Sequence, residues 1–89
     1  MPRKARAWPE WWGWEFILSP HIGRRQEDRG FTEVELRRML EHADGLEPDA
    51  MVGRWRIRTR HRRREWIVVV EPEVDRGTVV VVTAYSVKR

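Results

Sequence analysis

The regular alternation of arginine with less polar residues is the feature that most limits how this chain can fold. Between residues 54 and 61, arginine occupies every second position and the residues between are mostly apolar. Side chains along a β-strand point alternately to its two faces. The pattern therefore predicts a strand, at about 52–61, with one cationic face and one face against a core. The cationic residues of this strand and of the turn after it are Arg54, Arg56, Arg58, Arg60, Arg62, Arg63 and Arg64.

Two more strands are predicted in the closing part of the chain. Residues 65–71 and 78–87 are rich in valine, and Pro72 and the Asp-Arg-Gly sequence at 75–77 separate them. Proline cannot donate to a strand ladder, so the first of these strands should end there. Both segments are apolar at nearly every position, which is typical of central strands covered on both faces.

The first half of the chain predicts a short strand and two helices. Residues 14–18 are apolar enough for a strand, and the Ser-Pro pair at 19–20 is a helix-start signal. This first helix should end at Gly30, which can adopt the left-handed cap. Thr32 and Glu35 have the spacing of a capping box, and the apolar stripe after them predicts a second helix.

These elements predict an α+β fold with the order β-α-α-β-β-β, in which two N-terminal helices pack on a small antiparallel sheet. The 89 residues suffice for one domain only. We expect a flexible basic and tryptophan-rich tail at 1–12 and a single α+β domain at 13–89. The four tryptophans at 8–14 either stack on nucleic-acid bases, or cap the core or form a protein interface. The second interpretation is favoured because no arginine is interleaved with them.

Composition excludes several classes of site. The chain has no cysteine, so disulfides and cysteine-ligated metals are excluded. Its three histidines fall on different predicted elements, without the spacing of a metal ligand set, and no glycine-rich phosphate loop is present. We therefore expect no metal and no cofactor. The longest apolar run is too short to span a membrane and no secretory signal is recognisable, so a cytoplasmic protein without membrane association is expected.

Charge is strongly segregated along the chain. The formal net charge is +4, but residues 54–64 hold seven arginines and no acid, whereas residues 27–49 hold eight acids and three arginines. A cationic surface of this kind typically meets a polyphosphate, so a polyanion is the expected partner. The alternative is a solvated strand face that is kept basic to prevent edge-to-edge aggregation.

Histidine and arginine at helical spacing suggest a metal-free chemistry. His21, Arg25 and Arg29 lie four residues apart, hence on one face of the first predicted helix. Histidine can act as acid or base near neutrality, and the arginine fork matches phosphoryl oxygens. This inventory suits RNA cleavage by the RNA's own 2′-hydroxyl group. Alternatively, His21 extends a cap and the two arginines pair with nearby carboxylates. His42 is interpreted as structural or exposed, and His61 as structural.

The same residues resemble a known family. Ser-Pro-His-x-x-x-Arg-x-x-x-Arg-Gly-Phe-Thr at 19–32, followed by a capped helix, resembles the opening of small bacterial RelE-like proteins. These belong to the barnase, EndoU, colicin and RelE-like (BECR) group of metal-independent ribonucleases. Val-Val-Thr-Ala-Tyr at 81–85 is similar to that family's closing strand. The resemblance covers roughly 14–87 and implies toxin-like RNA cleavage, often with an antitoxin partner. The site residues that it implies are His21, Arg25, Arg29, Thr83 and Tyr85.

The leading interpretation is thus a metal-independent endoribonuclease of the toxin type. In it, His21 is the acid–base group, Arg25 and Arg29 stabilise the phosphorane, and Thr83 or Tyr85 supplies a hydroxyl contact. The arginine-rich strand would hold the RNA backbone. The arginine-rich strand and the tryptophan-rich start are departures from the family, and they leave two alternatives. One is a non-catalytic nucleic-acid-binding module, and the other is an interaction protein whose basic face binds an acidic, antitoxin-like partner.

Overall fold

The structure, a computed structural model, describes residues 9–19 and 32–87. These ranges contain a short 3₁₀-helix, one α-helix and five strands. The elements are the 3₁₀-helix Glu10–Gly13, β1 (Glu15–Leu18), α1 (Glu33–Glu41), β2 (Gly45–Pro48), β3 (Trp55–His61), β4 (Arg64–Glu73) and β5 (Thr78–Ser86).

All five strands form one mixed sheet with the spatial order β1-β5-β4-β3-β2. Strands β2 to β5 pair antiparallel with their neighbours. Strand β1 instead runs parallel to β5, with Glu15 opposite Thr78 and Leu18 opposite Val81. The chain therefore enters the sheet at one edge, crosses through α1 and returns at the other edge.

The predicted fold class is wrong in two respects. The described ranges hold one α-helix and five strands in the order β-α-β-β-β-β, not two N-terminal helices on an antiparallel sheet. From the sequence alone, residues 46–50 are expected to form a loop that carries Pro48. Residues 45–48 instead form β2, which lies at the sheet edge, where a missing N–H is tolerated. The parallel direction of β1 depends on a partner more than sixty residues away in the chain. The helix predicted at 20–29 lies outside the described residues.

The capped helix is confirmed. The Thr32 hydroxyl accepts a hydrogen bond from the backbone N–H of Glu35 at 3.2 Å, and the Glu35 carboxylate accepts one from the backbone N–H of Thr32 at 2.9 Å. These reciprocal bonds satisfy two of the N–H groups left free at a helix start. Leu36, Met39 and Leu40 form the buried stripe of the helix.

The core lies between α1 and one face of the sheet. The stripe of α1 contacts the side chains of alternate positions on the central strands, among them Ile57, Val68 and Val81. Thr59 is fully buried in this layer and its hydroxyl donates a hydrogen bond to the carbonyl oxygen of Met39. Since a buried polar group costs free energy unless it is paired, this bond holds the end of α1 against β3.

Aromatic residues of the N-terminal segment close one end of the core. The rings of Trp11 and Trp55 are 6.0 Å apart, and those of Trp12 and Phe16 are 5.5 Å apart in an edge-on arrangement. Trp14 also packs against the buried cluster. This packing supports the core-capping interpretation of residues 9–14. Neither helix in the described ranges has the length and apolar character that a membrane crossing requires.

Candidate nucleic-acid interface

Strand β3 has the two faces that its alternation predicts. Ile57 and Thr59 are fully buried beneath α1, whereas Arg58 and Arg60 are exposed on the opposite face. Arg54 lies directly before the strand rather than within it. The side-chain directions therefore follow from the local pattern, but they do not decide which cations are available to a ligand.

Most of the arginines along β3 are already paired with carboxylates. Their partners come from β2, from the residue before it and from β4. The N···O distances are 3.0 Å for Arg54–Glu71, 2.9 Å for Arg56–Glu47 and 3.7 Å for Arg58–Asp44. The acidic segment that is separate in the chain thus lies beside the cationic one in the sheet. This part of β3 is close to neutral as a surface.

A glycine makes room for one of these pairs. A Cβ atom at Gly45 would lie 2.7 Å from Nη2 of Arg58, which is closer than such contacts normally allow. The guanidinium therefore lies across the backbone of β2, where it comes near Asp44. This arrangement holds the Arg58 side chain beside β2, although it is 54% exposed.

Free positive charge is concentrated at the end of the β3–β4 hairpin. Arg60, Arg63 and Arg64 form no ion pair with any described residue. Arg62 has a side chain that is 69% exposed and lies 3.3 Å from the Glu35 carboxylate. We call these four arginines the hairpin tip. It holds three of the five described arginines that form no ion pair with another described residue.

The turn at the hairpin tip is strained. His61 and Arg64 form the closing pair of a two-residue loop, and the two central residues, Arg62 and Arg63, have φ angles of 53° and 68°. Positive φ at both positions is what a type I′ hairpin turn requires, and Asn-Gly is the favoured pair there. Non-glycine residues in this region cost on the order of 1–3 kcal/mol each. Arginines are thus held at the tip at the expense of stability, which favours a role in binding.

A cleft of about 330 Å³ lies between the hairpin tip and α1. It forms where β3 extends past the end of β2, so the outer edge of β3 faces the C-terminal half of the helix. Three arginines, two histidines and one carboxylate account for nearly all of its lining. The lining residues are Glu35, Arg38, Met39, His42, Arg60, His61 and Arg62.

The two histidines of the cleft are held differently. His42 is the C-cap of α1, and its Nδ1 lies 2.9 Å from the carbonyl oxygen of Arg38. Because a carbonyl can only accept, Nδ1 carries the proton in this contact, and Nε2 of the neutral ring is an acceptor. His61 is half-buried and packs edge-on against Trp66, with the ring centroids 6.0 Å apart. His42 is therefore the more accessible imidazole.

Glu35 remains an anion in this cationic surrounding. The backbone hydrogen bond from Thr32 is the main cause that lowers the pKa of its carboxyl group, and electrostatic interactions with Arg62 and His61 lower it further. The same carboxylate thus caps α1 and holds Arg62. A ligand phosphate entering the cleft would compete with Glu35 for this guanidinium.

The structure separates the predicted site residues into groups. Arg60 and Arg62 line the cleft, whereas Thr83 and Tyr85 lie on β5 with β4 between them and β3. Both β5 residues share the face of the arginines along β3, since Thr83 is opposite Val69 and Tyr85 is opposite Ile67. Neither of them lines the cleft. The remaining predicted residues, His21, Arg25 and Arg29, lie outside the described ranges.

Sequence reasoning missed three members of the cleft. Neither His42 nor His61 was interpreted as functional, and Arg38 was not considered. A partial signal was present, because Arg38 and His42 are four residues apart and so share a helical face. Nothing local indicated that this face meets the hairpin, which depends on how α1 docks on the sheet.

The comparisons with known proteins find no relative. No protein-family model, no curated protein and no solved structure matches the chain. The resemblance to RelE-like toxins therefore rests on the motifs at 19–32 and 81–85 alone and stays a prediction.

Proposed function

We propose that this protein binds single-stranded RNA through the hairpin tip and the adjacent cleft. The observation that carries the proposal is a contrast in ion pairing. The arginines at 54, 56 and 58 are paired with carboxylates, whereas at the tip only Arg62 is paired, among the described residues. Guanidinium groups make paired, charge-assisted hydrogen bonds to phosphate, and phosphate contacts supply most of the affinity for nucleic acids. The strained Arg62-Arg63 turn supports the same conclusion, because Asn-Gly would form this turn at lower cost, and the exposed Arg62–Glu35 pair offsets at most about 1 kcal/mol of that cost.

The size of the cleft favours a single strand over a duplex. A volume of about 330 Å³ is at the lower end for ligand clefts, so it has room for about one nucleotide. The cleft lies at the narrow end of a hairpin, where a flexible strand can bend around the cations. The arginines along β3 would contribute less, since each would first have to leave its carboxylate.

Salt-dependent binding tests this proposal. Fluorescence anisotropy with a labelled single-stranded RNA should give a log–log salt slope of about 0.7 per phosphate contacted, hence about 2–3 for the four arginines of the tip. The double variant Arg63→Gln/Arg64→Gln should lower both affinity and slope. No salt-dependent binding by the unaltered protein would refute the proposal.

A matched control is available at the other end of the molecule. Arg76 is exposed in the β4–β5 turn and, among the described residues, forms no ion pair. It is separated from the tip by the length of β4, about 30 Å for its ten residues. Arg76→Gln should leave binding nearly unchanged. An equal loss in this variant would show that only net charge matters and would contradict a defined site.

A second candidate function is metal-independent cleavage of the bound RNA. The observation that favours it is the His42 ring, which is exposed, belongs to a lining residue of the cleft and contacts the Arg38 carbonyl through Nδ1, so that Nε2 is left as the acceptor. Such a nitrogen can take the proton of a 2′-hydroxyl as that oxygen attacks phosphorus and the bond to the 5′-oxygen breaks. The products are a 2′,3′-cyclic phosphate and a 5′-hydroxyl, whose oxygen takes a proton from solvent. Arg38 and Arg60 would stabilise the charge on the phosphorane.

Product analysis in the presence of a chelator tests the second candidate. Cyclic-phosphate ends should form, and His42→Ala should slow their formation about 10²- to 10⁴-fold, the usual worth of a positioned acid–base group. His21→Ala is the parallel variant for the site that the family resemblance implies. Absence of cleavage, or unchanged cleavage in both variants, would leave RNA binding alone. A toxin role with an antitoxin partner depends on cleavage being found.

A further inference from the structure

The net positive charge of the residues that line the cleft exceeds the single negative charge of an internal phosphodiester. Three arginines and one glutamate are among its lining residues, so their formal charges, three positive minus one negative, give +2. An internal diester carries one negative charge, whereas a phosphate monoester carries about 1.5–2 at pH 7 and offers three strong acceptor oxygens. A dianionic group therefore matches the cleft better than a diester.

We infer that the cleft binds the terminal phosphate of an RNA strand, that is, a phosphomonoester end. The inference rests on the proposed RNA-binding function and specifies which part of the strand the cleft takes. In it, Arg38 approaches the phosphate from α1, Arg60 from the edge of β3 and Arg62 from the turn. The remaining cations of the tip, Arg63 and Arg64, lie outside the cleft and are left for the internal phosphates that follow.

The partial negative charge at the C-terminus of α1 does not prevent a phosphate from binding in the cleft. The C-terminus of α1 contributes only about half a negative charge, which is small against the net charge of the lining. Its nearest carbonyls are also occupied, because Arg38 accepts from the backbone N–H of His42 at 3.2 Å and Met39 accepts from the Thr59 hydroxyl. The second of these bonds fixes the helix end against β3, so the cleft is preorganised for a ligand.

Glu35 sets the strength of binding through Arg62. The two side chains form an exposed pair at 3.3 Å, which a dianion can displace because exposed ion pairs are weak. Glutamine at this position keeps the capping-box geometry but loses the charge. Glu35→Gln should therefore raise the affinity for a terminal phosphate about two- to fivefold. Unchanged or weaker binding would contradict the role given to the cleft.

The direct test compares three RNA oligonucleotides of one sequence. They carry a 5′-phosphate, a 3′-phosphate or hydroxyl groups at both ends, and binding is measured by anisotropy with an internal label. At least one phosphorylated strand should bind about tenfold more tightly than the hydroxyl-ended strand, as expected for added charge-assisted bonds. The strand that gains affinity identifies which end is bound.

Variants separate this inference from the proposed function. The preference for a terminal phosphate should disappear in Arg60→Gln and persist in Arg76→Gln, with circular dichroism confirming that both variants are folded. Equal binding of all three strands overturns the inference, while salt-dependent binding of all three still supports RNA binding. If no strand binds to the unaltered protein, both proposals fail.

Discussion

Nη2 of Arg62 lies 3.3 Å from Oε2 of Glu35, so the tip of the β3–β4 hairpin is joined to the first turn of α1. The same carboxylate accepts the backbone N–H of Thr32 in the capping box. Helix start, cleft and cationic turn are therefore connected through one side chain. Changes at these few residues should separate stability from binding.

Replacing Arg62-Arg63 by Asn-Gly should stabilise the fold and weaken RNA binding. The favoured type I′ residues relieve part of the cost of about 1–3 kcal/mol at each of the two positive-φ positions, so the free energy of unfolding should rise by about 1–3 kcal/mol in total. Loss of the exposed Arg62–Glu35 pair lowers the free energy of unfolding by at most about 1 kcal/mol. Urea denaturation measures the gain in stability, and RNA anisotropy measures the loss of binding.

The single variant Arg63→Ala is the control, because it removes a charge but keeps the strained backbone. A less stable Asn-Gly protein would contradict this account of the turn.

Glu35 should make the protein sensitive to acid. The pKa of its carboxyl group in the folded state is below the ordinary value of 4.5, so the charged form stabilises the fold above that value. This contribution is lost as pH falls through the lowered pKa. Thermal melting over a series from neutral to acidic pH should therefore show a smaller acid dependence in Glu35→Gln. Asp75→Asn, in the β4–β5 turn, serves as the charge-matched control. The same acid dependence in Glu35→Gln and the unaltered protein would disprove the assignment.

Thr59→Val should destabilise the fold by about 1–3 kcal/mol, because it leaves the Met39 carbonyl without the hydroxyl that it accepts from. The substitution changes shape very little, so the loss measures the buried hydrogen bond rather than a cavity. Thr83→Val is the control on β5, where the residue is half-buried, and should stay within about 0.5 kcal/mol. Urea denaturation of both variants makes the comparison. Similar values for the two would mean that the bond to α1 contributes little.

Arginines along β3 and at the tip should respond differently to substitution. Arg64→Gln should lower the salt slope of RNA binding by about 0.7 without loss of stability, since Arg64 forms no ion pair among the described residues. Arg56→Gln should leave the slope nearly unchanged but lower stability by up to about 1 kcal/mol, because Glu47 and Asp49 lose their partner. Equal slopes in the two variants would mean that the whole strand face binds RNA.

Local features of the chain could be predicted, and distant pairings could not. The capping box of Thr32 and Glu35 was recognisable because its bonds join residues three apart. The faces of β3 followed from strand geometry in the same way. In contrast, β2 forms where a loop carrying Pro48 was expected, and the parallel pairing of β1 has no local signal. The predicted fold class was therefore wrong where the structure depends on the edge position of β2 and on the distant partner of β1.

By itself, the sequence determined which side chains of β3 point away from the core and that arginines occupy the turn, because both follow from backbone geometry over a few residues. Only the tertiary structure decided which of those arginines are free. Acidic residues that precede β3 in the chain pair with Arg56 and Arg58, and α1 places His42 and Arg38 beside Arg60. Ion pairing and cleft formation depend on contacts between residues far apart in the chain, and such contacts exist only once the sheet has assembled around the helix.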